Sequence, residues 1–269
     1  MNDTVLISVA PVAATDTNVD PESVARDVIA CAKAGAGMVH LHVRDRHGRL
    51  TPNLDAFKDT VERIVKETDV VVEASTGGVS AMTIEERCAP LYYDAVECAS
   101  LNVGSVNLGE SVYANPIGDV KKCVKAIIEQ GKTPEVEVFE LGMVHTTRKL
   151  YEEFEFRDPL LFSIVLGHEG AAPATSEALI ALRASIPPNM VWGITHAHRE
   201  DDDIIAAAVA MGAKTIRVGF EDSAFITKGR RAESNLPLVE HYVKLLRAMG
   251  KEPMLPAEAR MFFNIKSRR

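Results

Sequence analysis

The sequence predicts an α/β fold, a (β/α)8 TIM barrel built as a single domain over residues 1–269. Three observations lead there. Short runs rich in valine, isoleucine and threonine alternate with longer amphipathic stretches, the pattern of strand and crossover-helix units around a parallel sheet. Eight such runs can be read along the chain, which is the barrel's count. The turn after the first run reads APVAATDT, without the glycine-rich phosphate turn that a doubly wound open sheet carries there.

The elements follow in order. VLISVAPV from Val5 is the first strand, and Asp20 ahead of Pro21 and Glu22 starts the first helix. An aspartate there accepts a free N–H, and proline at the first helical position loses nothing by lacking one. MVHLHVR from Met38 is second, followed by Asn53 before LDAFKDTVERIV. VVVEAST from Val70, AVECASLN from Ala95 and PEVEVFE from Pro134 are the third to fifth strands. LFSIVLG from Leu161 precedes Thr175, which opens the helix SEALIALR; VWGITHA from Val191 and TIRVGFED from Thr215 complete the set. No Pro/Gly/Ser linker, charge block or close internal repeat divides the chain.

Composition narrows the class of function. With 46% hydrophobic and 25% charged residues the chain can build a sizeable core. A formal charge of −8 disfavours nucleic acid and anionic membranes as partners, because phosphate binding needs a basic face. The basic tail Lys266, Arg268 and Arg269 is too short to reverse that. Cys31, Cys88, Cys98 and Cys123 form no CxxC pair, so neither a disulfide framework nor a thiolate zinc site is expected. The N-terminal apolar run lacks a preceding basic region and no segment approaches a membrane span, so a cytoplasmic protein is expected.

In a closed barrel both faces of each strand are covered, so a polar side chain at a strand's C-terminal end is either satisfied structure or part of a site. The second run ends His40, Leu41, His42, Val43, Arg44, Asp45. Alternation sends His40, His42 and Arg44 to one face. Two imidazoles so placed can meet one zinc ion at roughly 2.0–2.1 Å, leaving positions for a further ligand and for substrate. The alternative is a pair of core histidines bonded to barrel carbonyls.

The last run ends Arg217, Val218, Gly219, Phe220, Glu221, Asp222, and the same alternation puts Arg217, Gly219 and Glu221 toward the mouth. Strand eight lies near strand two across strand one, which makes Glu221 the candidate third ligand. The competing reading is a charge cluster pairing with itself at the rim, an arrangement that stabilises poorly when buried. Ser75, Thr76, Gly77 and Gly78 offer a hydroxyl and backbone amides to an anion, or form an ordinary turn. Ser100 and Asn102 after strand four, and Glu137 with Glu140 on strand five, are polar at the barrel end and are equally readable as satisfied structure.

Taken in order, GAGMVHLHVRD from Gly35, EASTGG from Glu73, ASLNVGSVNLG from Ala99, PEVEVFELGMV from Pro134, and RVGFEDSAF with KGRRAESN from Arg217 onward resemble the β-keto acid cleavage enzyme family of zinc-dependent barrels. The similarity runs over nearly the whole chain. It implies that His40, His42 and Glu221 bind Zn2+, that Asp222 acts as base with Arg217 tuning it, and that Glu137 supports the polar cluster. It also implies that Ser75, Gly78, Ser100 and Asn102 hold the β-keto acid. The implied reaction is of acyltransferase type: a β-keto acid and acetyl-CoA give acetoacetate and a new acyl-CoA, without a redox cofactor. A homotetramer is implied as the assembly.

The departures from the family pattern bear on selectivity. Where some members carry an acidic residue after strand one to hold a substrate amine, this chain reads Thr15, with Asp16 adjacent. The loop over residues 15–21 is shorter than usual, and His196 and His198 in THAHRED and His168 in GHEGAAP are atypical. These positions are the candidates for substrate selection; the plainer reading is loop histidines in solvent. Two other functions compete. HAHRED on strand seven is similar to the HxH of metal-dependent barrel lyases and aldolases, although strand one offers no matching acid. A non-catalytic zinc-containing binding barrel is the other, and it would need no base at Asp222.

Overall fold

Eight parallel strands pair in chain order and the last closes on the first. They are β1 Thr4–Val9, β2 Met38–Leu41, β3 Val71–Ala74, β4 Cys98–Asn102, β5 Thr133–Val138, β6 Leu161–Leu166, β7 Val191–His196 and β8 Thr215–Val218. Closure is seen in the register of Ser8 opposite Arg217 and Val9 opposite Val218. The computed structural model describes residues 3–268, so Met1, Asn2 and Arg269 of the sequence lie outside the described residues. Every residue of β2 to β6 is buried, as expected where side chains fill the barrel on one face and helices cover the other.

Each strand is followed by a helix: α1 Pro21–Ala34, α2 Asp55–Glu67, the single turn α3 Ile84–Arg87, α4 Ile117–Glu129, α5 Leu141–Glu153, α6 Ser176–Ser185, α7 Asp203–Ala210 and α8 Leu236–Ala248. Two of the three expected caps are in place. Asp20 accepts from Ser23 N at 2.9 Å and Thr175 from Ala178 N at 3.3 Å. Asn53 instead stands one residue before the cap position, Leu54, and its carboxamide accepts from Asp55 N at 2.8 Å.

Several boundaries differ from the sequence reading, beginning with β2, which ends at Leu41 and leaves His42 and Arg44 beyond the strand. The fourth strand begins at Cys98 rather than Ala95, because Val96 N is committed to a turn with Tyr93 O at 3.1 Å. Glu140 is off the fifth strand: it is exposed and stands at the N-cap position of α5 without a side-chain capping bond. After β4 the chain makes a hairpin, Val106–Leu108 with Ser111–Tyr113, that the sequence reading missed. Gly109 at its tip donates to Glu169 O at 2.9 Å, so the hairpin is tied to the loop after β6 beside the barrel mouth.

The opposite end of the barrel is plugged. Met254, Ala259, Phe263 and Ile265 of the C-terminal segment pack on Leu6, Met38, Val71, Cys98 and Leu161. Helix α9 Pro256–Phe262 carries Arg260, which meets the fully buried Glu97 carboxylate at 2.7 Å, and Arg268 meets it at 2.8 Å. Polar chemistry at the other end is therefore carried on a rigid, closed base.

Candidate active site

Glu221 reaches the two imidazoles by a turn and not by strand alternation. β8 ends at Val218, and Gly219 turns the chain with φ +132, after which Asp222 N and Ser223 N both donate to Gly219 O. Glycine is required there, since a Cβ would lie 2.2 Å from Ala10 O. Glu221 N then donates to Ala10 O at 3.2 Å, which aims the side chain across β1 toward β2.

Its Oε1 lies 3.3 Å from His42 Nε2 and 3.8 Å from His40 Nε2. Ligand atoms of His40, His42 and Glu221 all fall within 4.8 Å of one another. Ligands about 2.1 Å from a tetrahedral ion are separated by about 3.4 Å, so this triad fits a metal. His40 Nδ1 is engaged by Glu73 Oε2 at 2.7 Å, which leaves Nε2 to face Glu221. Burial lowers the His40 pKa, with the Arg217 charge adding to it, and an unprotonated ring is the ligating form. Burial alone would raise Glu221, but the facing His42 ring, the Arg217 guanidinium and the His40 ring outweigh it and hold the carboxyl well below its usual range.

Asp222 takes a different partner from its neighbour. Arg217 grips it bidentately, Nε to Oδ2 at 3.0 Å and NH2 to Oδ1 at 2.7 Å. The same guanidinium donates to Glu137 Oε1 at 3.1 Å, and Glu137 Oε2 accepts from Asn102 Nδ2 at 2.6 Å. One cation thus gathers two buried carboxylates and approaches Glu221 at 3.3 Å.

These groups look into a cavity of about 1010 Å³ at the C-terminal end of the strands. Of the sequence-predicted residues, His40, His42, Glu221, Asp222, Arg217 and Glu137 line it, as do Ser75, Gly78 and Thr15. Ser100, Asn102 and His196 are not in its wall. Ser100 sits behind Ser75, where its Oγ accepts from Thr76 N at 3.2 Å, and Asn102 is spent on Glu137. His196 is the last residue of β7 and is buried, with Nδ1 unpaired, whereas His198 beyond it does reach the cavity. Ser100 and Asn102 thus stand one layer behind the lining residues Ser75 and Glu137. His168 and His198 line the cavity together, ring centroids 5.5 Å apart, and burial brings His168 down to about 4.

Three participants escaped the sequence reading. Glu73 orients His40, and Glu135 lies beside it; burial, then the neighbouring carboxylates, push each up to about 8. The signal was present, since an acid inside the apolar run VVVEAST falls opposite His40 once β2 and β3 pair. Tyr113, on the unforeseen hairpin, also lines the cavity.

A family model described as beta-keto acid cleavage enzyme matches residues 5–265. The chain is 36% identical over 247 residues to a 3-keto-5-aminohexanoate cleavage enzyme of Fusobacterium nucleatum subsp. nucleatum, covering 91% of this chain and 89% of that one. It is 28% identical to a 3,5-dioxohexanoate:acetyl-CoA acetone transferase of Paraburkholderia graminis, covering 97% and 96%. The solved apo structure of ObcA superposes with a TM-score of 0.77 at 21% identity, over 92% of this chain and 65% of that one, so this chain spans somewhat under two thirds of ObcA and shares its barrel. With the family model spanning both the HLHVRD strand and the RVGFED turn that build the site, the chain belongs to the beta-keto acid cleavage enzyme family.

Proposed function

We propose that this protein condenses a β-keto acid with acetyl-CoA and cleaves the product into acetoacetate and a new acyl-CoA. The observation that carries this reading is the division of labour between adjacent carboxylates: Glu221 faces two imidazoles while Asp222 is held by Arg217 in the same cavity. Zn2+ is the metal assigned to His40, His42 and Glu221, and it would supply Lewis acidity toward the substrate's ketone oxygen.

The remaining chemistry belongs to side chains. The Ser75 hydroxyl and the Gly78 backbone face the cavity as donors for the substrate carboxylate. Arg217 fixes the direction of the Asp222 carboxylate while each oxygen keeps a lone pair, so Asp222 is the base for the C2 proton. Glu137 keeps Arg217 in that position. The C2 carbanion attacks the acetyl thioester carbonyl and expels CoA thiolate, which adds to the original ketone carbon; scission of the C2–C3 bond then gives the acyl-CoA and a C2 carbanion that recovers the proton from Asp222 to become acetoacetate. Two substrates thereby exchange acyl groups with no net oxidation. Of the competing readings, the lyase-type HxH on β7 loses support because His196 lies behind the wall and His198 within the cavity.

We further assign a cytoplasmic homotetramer. The four cysteines are free and buried, and no helix among the described residues is long and apolar enough to cross a membrane. The test of the activity is incubation of the zinc-loaded protein with acetyl-CoA and β-keto acids of graded size and charge. Acetoacetate and an acyl-CoA matching each keto acid are expected; absence of both across the panel rejects the reading.

A further inference from the structure

Tyr113 is placed with unusual tightness for a residue on a loop hairpin. Its ring stands edge-on to Phe139 at 6.4 Å, and the Arg87 guanidinium covers it at 5.5 Å. Arg87 is itself anchored, by Thr76 O at 2.7 Å and Asn115 Oδ1 at 2.6 Å. The phenol oxygen rests against the turn after β3: a Cβ built on Gly77 would lie 1.8 Å from the hydroxyl, and 3.3 Å from Asn102 Nδ2. Gly77 has no side chain where the Tyr113 hydroxyl lies, so these two residues are complementary.

The phenol oxygen lies beside the Gly78 backbone. A phenol hydroxyl has a proton of its own to donate. Burial, and next the Glu137 charge, raise the phenol pKa further above its usual range, so the proton stays on. Ser75, Gly78 and Tyr113 line the same cavity as the metal triad. A neutral donor beside a serine hydroxyl matches a carboxylate, which accepts several hydrogen bonds.

We propose that the Tyr113 hydroxyl is a third donor to the carboxylate of the β-keto acid, beside Ser75 and the Gly78 loop, and that Gly77 is glycine to make room for it. This rests on the β-keto acid reading above. Tyr113 enters the site from the hairpin after β4, so it couples recognition of the acid group to an element outside the barrel strands.

The test is binding of acetoacetate to the zinc-loaded protein by calorimetry with no CoA compound present, alongside steady-state kinetics. Tyr113→Phe is expected to raise the acetoacetate Kd about tenfold, the loss of one hydrogen bond to a charged group. The KM for the keto acid should rise in step, with the KM for acetyl-CoA and the zinc content within twofold of wild type. Gly77→Ala is the second variant, and its backbone is outside the left-handed region, so alanine fits there but its Cβ would displace the hydroxyl. It should weaken acetoacetate about tenfold alone and by less than twofold more in the Tyr113→Phe background. An unchanged Kd in Tyr113→Phe overturns the proposal, as does an acetyl-CoA KM that rises equally, or full additivity of the two substitutions. Should wild type bind acetoacetate but turn over no keto acid, the reaction reading fails while the Tyr113 assignment is still decided by the binding data.

Discussion

His40 Nδ1 and Glu73 Oε2 stand 2.7 Å apart across a register pair of β2 and β3. That bond selects which imidazole nitrogen faces Glu221, so it acts on metal affinity without contributing a ligand. His42→Ala should remove the metal while the barrel stays folded, since the core and the plugged end do not depend on it. Glu73→Gln should keep the triad but weaken zinc roughly 10- to 100-fold. Metal analysis after graded chelation checks both, and full zinc in folded His42→Ala protein would refute the ligand set.

Adjacent Glu221 and Asp222 should fail differently. Asp222→Asn keeps volume and zinc but removes the proton acceptor, with an expected rate loss of about 10² to 10⁴. Glu221→Gln should instead lose metal, with activity partly restored by excess zinc. Exchange of the C2 deuteron, corrected for the spontaneous rate, reads the base directly. Wild-type exchange in Asp222→Asn would move that role to another residue.

Selectivity should disfavour a substrate ammonium group. Thr15 is exposed on the cavity rim, and the adjacent Asp16 carboxylate already accepts from Ala13 N at 3.0 Å. An ammonium without a dedicated partner forgoes a charge-assisted bond of roughly 1.5–3 kcal/mol, about tenfold or more in kcat/KM. Thr15→Glu should narrow that gap. A wild-type preference for an amino-substituted keto acid over its uncharged isostere would defeat the prediction and point to Asp16.

Glu135 makes stability depend on pH in a defined direction. Its carboxyl, ordinarily 4.5, is pushed up to about 8 by burial and then by Glu73. Between those values the folded state holds a proton that the unfolded chain has released, so stability declines as pH rises from about 4.5 to 8 and levels off above. Thermal melts of metal-stripped protein from pH 6.5 to 9 should show a falling Tm in wild type and a shallower fall in Glu135→Gln. Parallel slopes would mean that Glu135 ionises normally in the fold.

The strands and most helix starts were legible because they are local: β-branched runs, Asp20 and Thr175 as caps, and the HLH spacing at the end of β2 are properties of neighbours in sequence. Neighbouring motifs also singled out His40, His42, Glu221, Asp222 and Arg217, which the fold gathers round one cavity. What required the closed barrel was everything set by register and by turns. Gly219 re-aims Glu221 by a positive φ, so alternation named the right residue through the wrong geometry. Register set Ser100 beside Ser75 and Asn102 against Glu137, and brought Glu73 to His40 across a strand pair 33 residues apart in sequence. The hairpin that carries Tyr113 to Gly77 is held by contacts with loops elsewhere in the chain, and local sequence pattern holds no record of which loops will meet.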